Sequence, residues 1–436
     1  MSSRVAQERV GRIEGVVARL HALHPRLIDL SLDRLLVLLE KLGHPERRLP
    51  PVIHVAGTNG KGSVCAFLRA MAEAAGLRTH VFISPHLIRF NERIRIAGAL
   101  VSDAALADAL EELERRNAGD AITVFEMITA VALFLFSKTP AELCVLEVGL
   151  GGRFDATNVV SAPAACAITS VSMDHREFLG DSLAAVAFEK AGILKAGVPC
   201  AVGVQAAVAR EVILARAEEI GAPVLLRDRD WSLSARAVGL RYEDAAGFFD
   251  VPLPSLAGVH QWDNAGIAIA ALRAARVGVT GETIAAGVGR AEWPARLQRL
   301  GGNLEKMLPE GWELFLDGGH NPGAGIALAE HLRGWADRPV HLIVGMKQAK
   351  DSAEFLRPMI PHAATLWAVA EPGQHLALPV AAIVAASGGV ARVGPTVADA
   401  LRAIPKEGPP ARVLICGSLY LAGEVLKLDA GDGGPG

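Results

Sequence analysis

A chain of 436 residues is too long for one compact core, and a prior of about 150 residues per domain points to two or three domains, read here as two. With 51% hydrophobic and 21% charged residues and a formal net charge of −3, the composition is that of an ordinary globular protein, without the basic excess that would hold nucleic acid. The five cysteines (Cys65, Cys144, Cys166, Cys200, Cys416) are scattered, odd in number and mostly set in apolar runs, which reads as buried thiols in a reducing compartment. No charge-free apolar stretch reaches the roughly 18 residues of a membrane helix, since Glu126 interrupts "AITVFEMITAVALFLF". Glu8 and Glu14 lie among the N-terminal arginines and no apolar signal core follows. The expectation is a cytoplasmic protein with neither a nucleic-acid nor a membrane partner.

In chain order, short β-type runs alternate with alanine- and leucine-rich stretches of helical period, the pattern of a parallel sheet covered by helices on both faces. "PVIHVAG" predicts a strand. After it, "SVCAFLRAMAEAAG" sets Val64, Phe67, Leu68 and Met71 on one helical face and stops at Gly76. "THVFIS", "ELCVLEVG" and "AACAITSV" predict further strands, "SLAAVAFEKAGIL" a helix and "VPCAVG" the strand after it. Near "RAEWPARLQRLGGN" the period breaks at Trp293, Pro294 and the Gly301-Gly302 pair, which divides the chain into domains 1–291 and 292–436. Beyond that point "WELFLDGG", "VHLIVGM", "ATLWAVAE" and "RVLICGS" form a second strand series, and the closing "DAGDGGPG" reads as a disordered tail.

The stretch "IHVAGTNGKGS" (53–63) gathers Gly57, Gly60 and Gly62 around Lys61. A standard phosphate loop, G-x-x-x-x-G-K-[ST], has its hydroxyl residue directly after the lysine, whereas here Gly62 precedes Ser63. Backbone freed by glycine, a helix N-terminus and a mobile positive charge are the ingredients of a phosphate cradle. The plainer reading is a glycine-rich turn between strand and helix. Polar residues at other strand ends favour the cradle: Ser84 closes "THVFIS", Glu147 closes "ELCVLE", and Asp174 and His175 follow "AITSVSM". Ligands of open parallel sheets bind at the carboxyl ends of the strands. Glu147 with the serines suits a magnesium ion that bridges to nucleotide phosphates. His175 is a less typical ligand for that ion and reads equally well as a histidine capping a loop.

Eight stretches, taken in register, are more specific: "HVAGTNGKGS", "SPHLIRFNERIRI", "LEVGLGGRFDATN", "SMDHREFLG", "EKAGILK", "HQWDNAGIAIAAL", "WPARLQ" and "LDGGHNPG". Together they resemble the folylpolyglutamate synthase and dihydrofolate synthase family, which belongs to the wider group of Mur-type ATP-dependent amide ligases. The resemblance implies an α/β fold, with an N-terminal P-loop parallel-sheet ATPase domain followed by a smaller Rossmann-like α/β domain. It assigns Thr58, Asn59, Gly60, Lys61, Gly62 and Ser63 to the ATP phosphates. Asn264, Arg296 and Asp317 would complete the nucleotide site, with His320 close by. Ser84, Glu147 and His175 would be ligands of Mg2+, two ions being expected, and Lys190 would lie beside the metal as a lysine carbamylated by carbon dioxide. Lys61, His175 and Lys190 would thus carry the catalysis. Dihydropteroate is placed around Ile28, Asp29 and Leu30, around Thr123, Val124, Phe125 and Glu126, and around Phe154, Asp155 and Ala156. Read without the resemblance, Phe125 is plain core packing and Lys190 a surface lysine at a helix end. The chain departs from the family pattern at Ala295, where glycine is usual, in "DGGHN" for "DGAHN", and in "GMKQAKD", which lacks the first aspartate of "GMxxDKD".

The implied reaction is ATP-driven amide formation through an acyl phosphate, with L-glutamate as the amine and dihydropteroate or tetrahydrofolates as the acid, carried out by a monomer. Alternatives are folylpolyglutamate synthesis alone, another Mur-type ligase, or a nucleotide-gated binding protein without catalysis. A cell-wall precursor ligase would need a nucleotide-sugar domain before the loop, and about fifty residues cannot bury the surface for one.

Overall fold

The computed structural model describes residues 2–24, 28–348 and 350–431. Its chain divides into two compact units. One comprises the chain to Val171, Ser182–Ser255 and Trp262–Ala291; the other comprises Ser172–Asp181, Leu256–Gln261 and the chain from Glu292. Two short segments that precede Trp293 in sequence are therefore packed into the second unit.

In the first unit the strands are β1 (Val52–Ala56), β2 (Thr79–Phe82), β3 (Ile94–Ile96), β4 (Ala99–Leu100), β5 (Leu143–Glu147), β6 (Ala165–Ile168), β7 (Cys200–Val202) and β8 (Val224–Leu226). They form one sheet in the order β4-β3-β2-β5-β1-β6-β7-β8, parallel except at β3 and β4. β1, β5 and β6 are buried at every residue, as continuous apolar runs covered on both faces require. β1 pairs with β5 on one side and β6 on the other, Val55 opposite Glu147 and Ala56 opposite Ile168. The chain reverses direction across the sheet at β1, so the loops after these three strands emerge side by side at a topological switch point.

One face of this sheet carries a core shared by helices Asp33–Lys41, Asp103–Asn117 and Val124–Phe136, through Leu35, Leu38 and Leu39, Leu106, Leu110 and Leu113, and Met127, Ile128 and Val131. An antiparallel meander of β9 (Trp231–Ala235), β10 (Leu240–Asp244) and β11 (Gly247–Val251) was not expected from the sequence.

The second unit holds β12 (Gln298–Leu300), β13 (Glu313–Leu316), β14 (Val340–Val344), β15 (Thr365–Ala368), β16 (Arg392–Val393) and β17 (Arg412–Cys416), in the order β12-β13-β17-β14-β15-β16. All pairs are parallel except β12 with β13. Asp429 and Ala430, expected in the disordered tail, instead close the helix Leu419–Ala430. Residues 432–436 of that tail lie outside the described residues. Among the described residues no helix is long and apolar enough to cross a membrane, and the five cysteines are free and buried.

Candidate active site

The loop after β1 turns into helix Lys61–Ala74 through Gly57 at φ 145° and Gly60 at φ 90°. Both need the absence of a side chain. A Cβ on Gly57 would lie 1.8 Å from Thr169 Oγ1, and one on Gly60 would lie 2.3 Å from Asn264 Oδ1. The backbone N–H groups of Thr58 and Asn59 are turned to the Ser170 carbonyl, at 2.9 and 3.3 Å. What the loop offers an anion is thus the first turn of the helix, from Lys61 on, whose N–H groups have no intrahelical acceptors. Lys61 folds back over that turn, Nζ donating to the carbonyls of Gly57 at 3.1 Å and Thr58 at 3.3 Å. Ser63 is 1% exposed and, among the described residues, its Oγ has no hydrogen-bond partner; a phosphate oxygen or a hard cation would satisfy it.

Lys190 is not the surface lysine that its helix-end position suggests. It is 4% exposed in helix Leu183–Ala191, and its Nζ donates to the Gly57 carbonyl at 2.8 Å. Two lysines from different helices therefore converge on one carbonyl of the loop. Glu147, at the end of β5, is buried and accepts the Ser84 backbone N–H at 3.3 Å. Among the described residues no three His, Cys, Asp or Glu side chains cluster as a metal site. Glu147 and Ser84 are joined by the Ser84 N–H bond, and their side-chain oxygens, like the Ser63 hydroxyl, are donors of the type magnesium prefers.

The residues assigned to dihydropteroate belong to the first unit. Ile28, Asp29 and Leu30 are partly exposed. Thr123 and Glu126 form a capping box on helix Val124–Phe136, Thr123 N donating to Glu126 Oε2 at 2.7 Å and Glu126 N to Thr123 Oγ1 at 3.1 Å. Both oxygens of Glu126 are engaged, because Arg34 reaches Oε2 from Nε at 3.2 Å and Oε1 from Nη2 at 2.9 Å. Val124 and Phe125 are half-buried against the core, and Phe125 lies 6.0 Å from the Phe82 ring and over Gly149. Asp155 is buried and knots its own loop, accepting from Leu150 N at 2.8 Å and from Thr157 N at 3.0 Å and Oγ1 at 2.5 Å. Ala156 is buried beside it, whereas Phe154 is exposed under the Arg153 guanidinium, 4.4 Å from its ring.

His175, Arg296, Asp317 and His320 belong to the second unit. Asp174, next to His175, holds that segment in place: its carboxylate takes Asn321 Nδ2 at 3.0 Å and the amine of Lys350. Burial of Asp174 works toward a higher pKa, but Lys350, then His175 and His320, more than offset it and hold the carboxyl well below the usual range. Asp317, at the end of β13, accepts Gly319 N at 2.7 Å and Leu297 N at 2.9 Å, and burial pushes its pKa up against the Arg296 charge. Arg296 Nη1 donates to the Ala295 carbonyl at 2.8 Å. His320 Nδ1 pairs with the Gly318 carbonyl at 2.9 Å, and burial, with Lys350 adding to it, pushes the ring down to about 4.

Sequence reasoning missed Thr169, Ser170, Asn321 and Lys350 as supports, and it missed His54. The Thr157 hydroxyl gives its proton to Asp155, so it must accept from His54 Nε2 at 2.8 Å, which fixes the neutral Nε2–H tautomer. Burial, and then Lys195, push His54 down to about 3. The unfolded chain binds this proton near pH 6.5 and the folded chain does not until about pH 3, so the His54 contribution to stability is lost as pH falls across that window. In denaturant titrations from pH 7 to 4, His54→Gln is expected to lower the acid slope of the unfolding free energy by up to about 1.4 kcal/mol per pH unit. An unchanged slope would place the His54 proton elsewhere.

Comparison with known proteins finds relatives of nearly the whole chain. Residues 55–272 match the Mur ligase middle domain, and residues 302–428 match the dihydrofolate synthetase C-terminal domain. The folylpolyglutamate synthase of Lacticaseibacillus casei is 34% identical over 429 residues, 94% of this chain and 97% of its own length. The structure of Escherichia coli FolC in complex with DHPP and ADP has a TM-score of 0.85 at 31% identity, covering 94% of this chain and 96% of that one. A bifunctional folylpolyglutamate synthase/dihydrofolate synthase with Mn, AMPPNP and L-glutamate bound has a TM-score of 0.82 at 32% identity, with 94% and 96% covered. Similarity that runs through both units at this level leaves one assignment: the chain belongs to the folylpolyglutamate synthase/dihydrofolate synthase family of Mur-type ligases.

Proposed function

We propose that the chain is a bifunctional ATP-dependent ligase. It joins L-glutamate to dihydropteroate, forming dihydrofolate, and to the γ-carboxylate of tetrahydrofolates, forming polyglutamates. The observation that carries this reading is the cradle after β1, in which a helix N-terminus, the Lys61 amine and the unpartnered Ser63 hydroxyl meet at two glycines that tolerate no side chain. Support also comes from relatives of both activities that match nearly the whole chain.

In this reading the substrate carboxylate attacks the γ-phosphorus of ATP and ADP leaves. The glutamate amine, having lost a proton, then attacks the acyl carbon and phosphate leaves. Lys61 and the first turn of helix Lys61–Ala74 stabilise charge that spreads over the transferring phosphoryl oxygens. Thr58, Asn59, Gly60 and Gly62 shape the cradle, and Asn264, Arg296, Asp317 and His320 are proposed as further nucleotide contacts. Magnesium ions held by Ser84, Glu147 and His175, with Ser63 as a further oxygen donor, would supply neutralisation of the phosphate charge. Lys190 is proposed to be carbamylated and to add an anion beside them. Ile28, Asp29, Leu30, Thr123, Val124, Phe125, Glu126, Phe154, Asp155 and Ala156 are proposed to enclose the pterin. We place the protein in the cytoplasm as a monomer.

Phosphate release from ATP, measured with dihydropteroate and with tetrahydrofolate, each with and without glutamate, tests the reading. Glutamate-dependent turnover is expected with both acids. Turnover with tetrahydrofolate alone would reduce the protein to a folylpolyglutamate synthase, and turnover with neither would reject the assignment.

A further inference from the structure

Arg34 is the second residue of helix Asp33–Lys41, where the positive end of the helix dipole disfavours a cation. Its charge must therefore be held by other groups, and two segments of the proposed pterin pocket hold it. Nε and Nη2 grip the Glu126 carboxylate side-on, at 3.2 and 2.9 Å. Nη1 donates to Asp29 Oδ2 at 3.0 Å and Nη2 to the Asp29 carbonyl at 2.9 Å. The guanidinium thus joins residues 28–30 to the start of helix Val124–Phe136, segments more than ninety residues apart in sequence.

The consequence for the two carboxylates differs. Glu126 is buried, with both oxygens consumed by Arg34 and by the cap at Thr123. Asp29 is 30% exposed at its side chain, and its Oδ2 is taken from two directions, by Arg34 and by His24 Nε2 at 3.1 Å. Both groups use the same oxygen, which holds that side of the carboxylate and, among the described residues, leaves Oδ1 as its acceptor toward a ligand. A pterin presents adjacent ring and amino N–H donors, which suit such an acceptor.

We infer that Arg34 is a positioning residue for the acid substrate: its fork orients Asp29 against Glu126, so that the pterin meets a carboxylate already held on one side. This rests on the functional reading above. A lysine cannot replace it, because a point charge has no planar fork to span two carboxylates and a carbonyl.

The test uses the full chain with Arg34→Met, Arg34→Lys and Arg34→Ala. Dihydropteroate binding is titrated by fluorescence, steady-state kinetics are measured for dihydropteroate, ATP and glutamate, and thermal midpoints are recorded. All three variants are expected to raise the dihydropteroate KM by about tenfold or more and to leave the ATP KM within about twofold. Methylguanidinium is expected to restore part of the loss in Arg34→Ala and none in Arg34→Met, whose side chain fills the space. A purely structural staple would move both KM values or the thermal midpoint alone, and would overturn the inference. Should Arg34→Met and Arg34→Ala fail to fold, Arg34→Lys, which keeps the charge, decides on the same KM split. Wild-type protein that does not bind dihydropteroate would sink the functional reading and this inference with it. Wild-type binding matched by equally tight binding to folded Arg34 variants would sink the inference alone.

Discussion

Lys61→Ala is expected to slow acyl-phosphate formation by about 10²–10³-fold, the usual cost of removing one preorganised donor from developing charge. The stability of the chain should change by no more than about 1 kcal/mol, because the two bonds Lys61 makes are to carbonyls of its own loop, and neither buries it in the core. The lysine is a better candidate than the loop amides of Thr58 and Asn59, whose N–H groups already serve Ser170. Losing the amine leaves the loop its shape, because Thr169 Oγ1 donates to the Asn59 carbonyl at 2.6 Å and the Thr58 and Asn59 N–H groups donate to the Ser170 carbonyl, bonds that do not depend on the side chain at position 61. A single-turnover measurement of glutamate-dependent phosphate release, with a melting curve on the same sample, separates the two effects. Near wild-type turnover by a folded variant would mean that the loop after β1 is only a turn.

Most of the parallel sheets was legible because their strands are short apolar runs covered on both faces, "VIHVA" and "LCVLE" being buried throughout. The meander of β9 to β11 was missed although it carries the period-two signal: Trp231 and Leu233, then Leu240 and Tyr242, are buried between more exposed neighbours. Three short strands of that kind are easily overlooked between long helical stretches. At the site, three glycines around a lysine at a strand-to-helix turn suggested the cradle that is proposed here. Nothing local announced the supports. Thr169 against Gly57, Asn321 and Lys350 on Asp174, and Arg34 across Asp29 and Glu126 are long-range pairings that only the folded chain defines. The same limit explains Lys190. Its place at a helix end reads as exposure, and the helix packs that end inward, against the loop after β1.

Lys190→Ala is expected to lose activity by at least about 10²-fold, to regain part of it with formate or acetate, and to lose the dependence on carbon dioxide that the wild type should show. A buried ammonium is costly to desolvate, and beside a divalent cation it would also be repelled. A neutral amine escapes both penalties and is nucleophilic. In the proposed modification the nitrogen would attack the carbon of carbon dioxide with release of a proton, leaving a carbamate whose remaining N–H could keep the bond now made to the Gly57 carbonyl at 2.8 Å. Such a carbamate would present oxygen donors of the kind magnesium prefers, which the alanine variant would lack and small carboxylates could imitate. Labelled bicarbonate supplies a readout independent of turnover, since the wild type should show one carbamate carbon resonance and Lys190→Ala none. Stripping carbon dioxide from the buffer should remove the resonance and the activity together. A wild type that stays active without the resonance, or an active alanine variant insensitive to bicarbonate, would leave Lys190 as a lysine that only ties its helix to the loop.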